Sequence, residues 1–492
     1  MTLIPLDVPA GFYRNGTDLD ASGRWRDGSL VRWRDGSLRP IGGWQERKAS
    51  FSTNPIRGMH SWEANDGTAW LSGGSHSELK AMTGSNIVYD IAPTDLAIGR
   101  ADAEIETGYG YGFYNTGYYG QPRPDYGNFS EATTWSLDNW GEYLVACHTE
   151  DGRLLEWQLG TGVKAAVVAN APTNNSGIIV TEERFIFALG AGGNPRKVQW
   201  CDREDNTTWT PAATNEAGDI ELQTSGQIMT AIRTKGQTLI LTDVDAHTAR
   251  YAGPPYVYGF ERVGTSCGVI SRKAVADVDV GVFWMGQRGF YLFDGNSVNE
   301  LPCEVHDYVF GDMNPAQQSK IWSLNNGQFG EVWWFYPSAS STEIDRYVVF
   351  DYKEQHWLIG NLSRTSGVQR GVFKYPFMTN TDVDLLEHEV GYNMDGSSIF
   401  AETGPISIGT GENIMSVTKL IPDELTQGDV SLTFKTRFHP NDTESSHGPF
   451  DPSNPTSVRF TGRQMRMRVT GDQIGAWRVG TMRVDAKPMG RR

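Results

Sequence analysis

The chain has 492 residues, 56 glycines, an aromatic share of 11% and a formal net charge of −16. That length exceeds what one ordinary core supports, so two or more domains or a repeat array are expected. No apolar run nears the roughly 18 residues of a membrane span. The opening Met1-Thr-Leu-Ile-Pro-Leu-Asp7 lacks the basic and apolar regions of a signal peptide, so synthesis in a cytoplasm is expected. Charge is unevenly spread: residues 14–48 carry a net +3 and residues 458–492 a net +7, leaving −26 on the remainder. An acidic body with basic ends is ill suited to gripping nucleic acid across its main surface. It suits a protein that docks by its ends, or one that must not adhere to passing DNA.

In chain order, the first signal is a repeated heptapeptide. Arg-Trp-Arg-Asp-Gly-Ser-Leu occurs at 24–30 and again at 32–38. Asp-Gly favours tight turns, because glycine reaches positive φ without steric cost. The reading is two aromatic-basic strand stubs on turns at Asp27-Gly28 and Asp35-Gly36. Residues 1–55 then form an N-terminal arm with little core of its own, docking through Trp25, Arg26, Trp33 and Arg34.

From residue 56 to 404 one theme recurs: an apolar run, a Gly/Asp/Asn turn, then a second apolar run. The copies are centred on Trp70, Leu144, Ile186, Ile240, Phe283 and Trp333, with a weaker one at Val390-Gly391-Tyr392 and Ser398-Ile399-Phe400. Apart from a long first interval they recur at roughly 40–55 residues, the length of a four-stranded propeller blade. Radial repetition also protects the edges of many short strands. The fold class expected is all-β: a β-propeller of about six to eight blades, without WD or kelch signatures. An irregular set of sandwiches is the alternative.

The long first interval holds a Gly/Tyr-rich insertion at 107–129, including Tyr109, Tyr111, Tyr118 and Tyr119. Tyrosine offers rigid amphipathic contact area, which suits an interface. Asn314-Pro315 reads as the start of a short helix, and Val305, Tyr308 and Val309 have helical spacing. Residues 405–492 read as a small C-terminal β-sandwich-like domain. There Val430, Leu432, Phe434 and Phe438 alternate with polar residues, as do Met465, Met467 and Val469. Its polar face carries an arginine row that includes Arg466 and Arg468, and Trp477 to Val484 reads as a further strand.

Motifs for chemistry are sparse. Gly190-Ala-Gly-Gly-Asn-Pro-Arg-Lys197 lacks the strand-loop-helix setting of a phosphate loop. Gly108-Tyr-Gly-Tyr-Gly112 fails as a dinucleotide fingerprint for the same reason. The nine histidines show no paired metal spacing, and no Gly-x-Ser-x-Gly elbow occurs. The cysteines, Cys147, Cys201, Cys267 and Cys303, are far apart and are expected as reduced thiols. Cys201 to Trp209 approximates the Ser-x-Asp-x-Gly-x-x-Trp turn of sialidase propellers, with Glu204 and Asn206 replacing its Asp and Gly. No catalytic residue, metal ligand or cofactor is assigned, and no enzyme is expected.

Three segments carry a resemblance: Val31-Arg-Trp-Arg-Asp-Gly-Ser-Leu-Arg-Pro-Ile-Gly-Gly-Trp44, Val198 to Arg203 running on to Trp209-Thr-Pro, and Arg463 to Asp472 followed by Trp477 to Asp485. They resemble the nozzle or tail-hub proteins of short-tailed phages, also called packaged-DNA stabilisation or tubular tail proteins. The resemblance implies a propeller protomer in a six-fold ring of the virion tail, a hexamer below the portal–adaptor complex. It implies contact with a head–tail adaptor and with tail fibre or needle proteins, and a channel that retains and then conducts double-stranded DNA. The family supplies no catalytic residues. The alternative expectation is a propeller that binds or hydrolyses host surface sugars.

Overall fold

The computed structural model describes residues 2–105, 129–408, 413–423, 429–471 and 475–490. Seven antiparallel four-stranded sheets follow one another. Their first strands are Gly58–Glu63, Trp135–Trp140, Gly177–Val180, Ile228–Thr234, Val275–Val278, Trp322–Asn326 and Ser366–Val368. These strands lie side by side in that order, and the seventh returns to the first, closing a ring. The chain is a seven-bladed β-propeller.

The apolar runs found in the sequence are the second and third strands of blades one to six, such as Glu331–Tyr336 and Arg346–Asp351, buried along most of their length. Burial on both faces explains the near-continuous apolar runs, because each blade packs between two others. Between blades one and two, Trp70 meets Trp157 edge-on at 5.0 Å. Each large apolar side chain so buried contributes about 1.5–3 kcal/mol.

Blade seven corrects the repeat reading. It is built from Ser366–Val368, Phe377–Thr379 and Leu385–His388, and its fourth strand is Trp44–Lys48 from the other end of the chain, with Trp44 opposite His388. The weak copy at 390–400 is no blade: it leads into Phe400–Thr403, which belongs to another sheet. Its turn residues imitated a blade because connections between strands share the same Gly/Asp/Asn chemistry.

The second body is a β-sandwich. One sheet runs Thr2–Leu6, Met482–Gly490, Ile414–Ile421, Thr456–Gly462. The other runs Trp25–Ser29, Phe400–Thr403, Gln464–Gly471, Val430–Arg437, Ser445–Phe450. Alternation works as expected in its core, where Leu432 sits opposite Val469 and Phe434 opposite Met467. Phe438 falls beyond the strand and is 43% exposed. Trp477 is buried ahead of the last strand rather than within it.

The first 55 residues are therefore not an arm without a core. They supply a strand to each sandwich sheet, a hairpin (Val31–Arg34 with Ser37–Pro40) and the strand that closes the propeller. The repeated heptapeptide takes two different structures. In the second copy Asp35 and Gly36 turn the hairpin with φ of 50° and 73°. In the first copy Asp27 and Gly28 sit inside a strand, opposite Glu402 and Ala401. Gly28 is needed there for close approach, because a Cβ would lie 2.3 Å from Phe12 Cζ and 2.8 Å from the Phe400 carbonyl oxygen.

Candidate functional site

The residues proposed for docking from the sequence are mostly internal ties. Trp33 is 2% exposed and meets Phe12 at 5.0 Å and Trp25 at 5.6 Å. Both tryptophans are buried and offer no surface to another chain. They lie inside because the hairpin and the first sandwich strand pack between the sandwich and blade six. That packing is fixed by Leu30 N–H donating to Tyr347 Oη (2.8 Å) and Phe12 N–H to the Trp357 carbonyl (2.8 Å). Arg26 pairs with Asp18 at 3.3 Å. Arg34 faces Asp351 and Glu354 at 3.6 and 3.7 Å. Arg466 joins Asp18 (2.6 Å) to Glu444 (2.7 Å). Arg468 pairs with Glu402 (3.2 Å) and lies 3.6 Å above the Phe400 ring. Tyr109, Tyr111, Tyr118 and Tyr119 lie outside the described residues.

The tightest of these ties is Arg32. Its guanidinium bridges Glu331 (3.0 Å) and Glu389 (2.6 Å), with side chains 3%, 0% and 9% exposed. The Trp333 indole donates to Glu331 and Asn326 to both carboxylates. Burial pushes the Glu331 carboxyl up to about 7, and the second carboxylate adds to that shift, against the pull of Arg32. The cluster links the hairpin, blade six and the segment after blade seven.

The propeller axis holds a second polar group. Polar side chains stand within the first strands, where neighbouring blades crowd together. Asp138 of blade two accepts from Val180 N–H of blade three (2.9 Å) and from Arg233 of blade four (3.0 Å). His60 of blade one meets Asn139 of blade two at 3.2 Å. Burial lowers Lys273 to about 8, against the pull of Asp138. These contacts tie the inner strands of blades two, three and four to one another. Beyond the bridge the axis opens into a cavity of about 750 Å³ lined by Arg233, Lys235, Glu182, Asp277, Asp279 and Asn325 among others. Asp277 opens to this cavity, yet desolvation pushes its carboxyl up to about 6. The sequence reading missed this group, whose members His60, Asp138 and Arg233 are polar residues inside the first strands of blades one, two and four.

Other motifs resolve as structure. Gly190 to Lys197 joins two strands of blade three. In the sialidase-like turn, Asp205 rather than Glu204 does the capping, accepting from Thr207 and Thr208, while Trp209 is buried. Cys147, Cys201 and Cys267 are buried free thiols and Cys303 is half-buried. Burial pushes Cys147, Cys201 and Cys303 up to about 12 and Cys267 to about 11. Among the described residues no group of three or more His, Cys, Asp or Glu side chains is placed to hold a metal ion. All 16 tryptophans of the chain are buried.

No protein-family model matches the sequence, and a search of curated proteins finds no match. Among solved structures, the chain is similar to virginiamycin B lyase from Staphylococcus aureus, at 7% identity and a TM-score of 0.42, covering 70% of this chain and 98% of that one. It is similar to YCF48 bound to D1 peptide, at 10% identity and a TM-score of 0.39, covering 71% and 97%. It is also similar to PorZ of Porphyromonas gingivalis, a component of the type-IX secretion system, at 7% identity and a TM-score of 0.38, covering 76% and 44%.

Proposed function

We propose that this chain is a structural protein of a phage tail, a nozzle or hub subunit. In this reading copies assemble into a hexameric ring below the portal–adaptor complex, which retains packaged double-stranded DNA and conducts it during ejection. The observation that carries the reading is the joint between the two bodies. Two of the segments that resemble the nozzle family, Val31 to Trp44 and Arg463 to Asp485, come from opposite ends of the chain and meet there. Leu38 and Val479 exchange backbone hydrogen bonds at 2.9 and 3.0 Å. The resemblance thus falls on parts that fix one body to the other, as a load-carrying subunit requires.

Two further features support it. In this reading the duplex runs between subunits, through the lumen of the ring, rather than along a propeller axis whose inner strands Arg233 and Asp138 tie together. An acidic body suits the wall of that passage, since DNA carries about one negative charge per 1.7 Å of axis and adheres to basic surfaces. The sugar-binding alternative needs an exposed tryptophan beside carboxylates in one pocket, and every tryptophan is buried. The Tyr-rich segment 107–129 remains the proposed contact for a neighbouring subunit or a fibre. Electron microscopy of the purified full chain tests the proposal. Rings with an open lumen are expected. Lone protomers at every concentration overturn it, and trimers without a lumen point instead to a fibre-proximal adhesin.

A further inference from the structure

The two sheets of the sandwich treat their cations differently. On the sheet containing Val430–Arg437 and Gln464–Gly471, the cations are neutralised within the chain: Lys435 and Arg468 by Glu402, Arg437 and Arg466 by Asp18 and Glu444. On the other sheet stand Lys419, Arg459, Arg483 and Lys487, all exposed. None of the four makes a hydrogen bond or ion pair with a described residue. Between them lie small hydroxyl residues: Ser416 is opposite Lys487 and Thr461, and Ser457 is opposite Lys419. The row's carboxylate, Asp485, is 3% exposed and has one oxygen without a hydrogen-bond partner. Like charges side by side on a sheet oppose its stability, so a free row of four calls for an acidic counterpart.

This protein carries one on its far side. The sandwich rests on blade six, and blade three lies three positions away around a ring of seven, on the opposite rim. Outward of the axial cavity that Glu182 lines, the turns of blade three gather Glu183, Asp202, Glu204, Asp205 and Glu216 against Arg184 and Arg203. Glu204 N–H bonds the Arg184 carbonyl and Glu216 N–H the Asp202 carboxylate, which draws these turns together. Glu204 is exposed at the rim, whereas Glu182 faces the axial cavity. Unlike faces on opposite sides of one protomer make a heterologous, head-to-tail contact, which generates rings when the rotation closes.

We infer that the free basic face of the sandwich seats on the acidic rim of blade three of a second copy of this chain. The inference rests on the ring reading above and names the two surfaces in contact. A second copy fits better than nucleic acid, because the chain as a whole is acidic, with a net charge of −16, and repels a polyanion.

The test uses the full chain with exposed residues only, its fold checked by near-ultraviolet circular dichroism. One variant reverses the sandwich row (Lys419→Glu, Arg459→Glu, Arg483→Glu, Lys487→Glu). A second reverses the rim (Glu204→Lys). Self-association is followed by sedimentation at low and high salt. Each variant is expected to associate on the order of 100-fold more weakly than the parent, since juxtaposed like charges cost several kcal/mol. The chain carrying both sets is expected to reassociate, and salt is expected to weaken the parent contact. A parent that associates while both variants match it overturns this inference and leaves the ring reading standing. A parent that is monomeric at every concentration overturns both. Loss of duplex-DNA binding in the sandwich variant with unchanged association also overturns it, and assigns the face to nucleic acid.

Discussion

Arg24 and Arg32 occupy the same position in the two copies of the heptapeptide, and their replacement by leucine separates environment from sequence. Arg32 sits between Glu331 and Glu389 with side chains 3%, 0% and 9% exposed. Arg32→Leu leaves two carboxylates buried without their cation, a change that typically costs about 3–5 kcal/mol. Arg24 pairs with Glu304 at 2.7 Å, but these side chains are 28% and 35% exposed, and such a pair contributes about 0–1 kcal/mol. The Arg32 deficit also depends on pH. Glu331 is raised from 4.5 to about 7 in the folded protein even with Arg32 present. The folded state therefore holds a proton that the unfolded state releases, and stability falls as pH rises through that interval. The deficit of Arg32→Leu should be smallest near pH 5 and largest near pH 8. Urea unfolding followed by tryptophan fluorescence at the two pH values measures it, with Trp333, bonded to Glu331, as a reporter at the site. A loss below about 1 kcal/mol, or one that does not change with pH, refutes the reasoning.

The two Asp-Gly pairs give a second contrast. Gly36 needs its positive φ and has no atom within 4 Å of where a Cβ would stand, whereas a Cβ on Gly28 would lie 2.3 Å from Phe12. Gly36→Asn should be nearly neutral, since asparagine tolerates that conformation. Gly28→Ala should cost about 1–3 kcal/mol by overpacking, and Gly28→Asn more; equal midpoints for the two asparagine variants in urea would contradict this. Deleting residues 1–48 removes the fourth strand of blade seven and two sandwich strands, so the product should be insoluble or lack a cooperative transition. A soluble fragment with native near-ultraviolet dichroism would show that the closing strand is dispensable.

Blade-forming segments were legible because each second and third strand is buried on both faces and reads as an apolar run. Trp44–Lys48 was not, because its burial comes from Leu385–His388, more than 300 residues away, and no local pattern carries that pairing. The basic ends misled for a related reason. Arg34 and Arg466 look like free surface charge in one dimension, yet carboxylates (Asp351 and Asp18 respectively) reach them from distant segments. The heptapeptide makes the same point from the other side: identical residues form a turn where solvent surrounds Gly36 and a strand where Phe12 presses on Gly28. The polar axis escaped notice because Asp138 and Arg233 acquire meaning only once blades two and four face each other.

The order in which the ribosome releases this chain gives its closure a consequence. Thr2–Leu6 pairs with the last long strand, Met482–Gly490, and Trp44–Lys48 with Leu385–His388. Both early segments must wait, unpaired, until strands more than 300 residues further along the chain have been made. Such distant pairings form late and slowly. A nascent chain that stops short of those late strands thus lacks both the finished wheel and the finished sandwich.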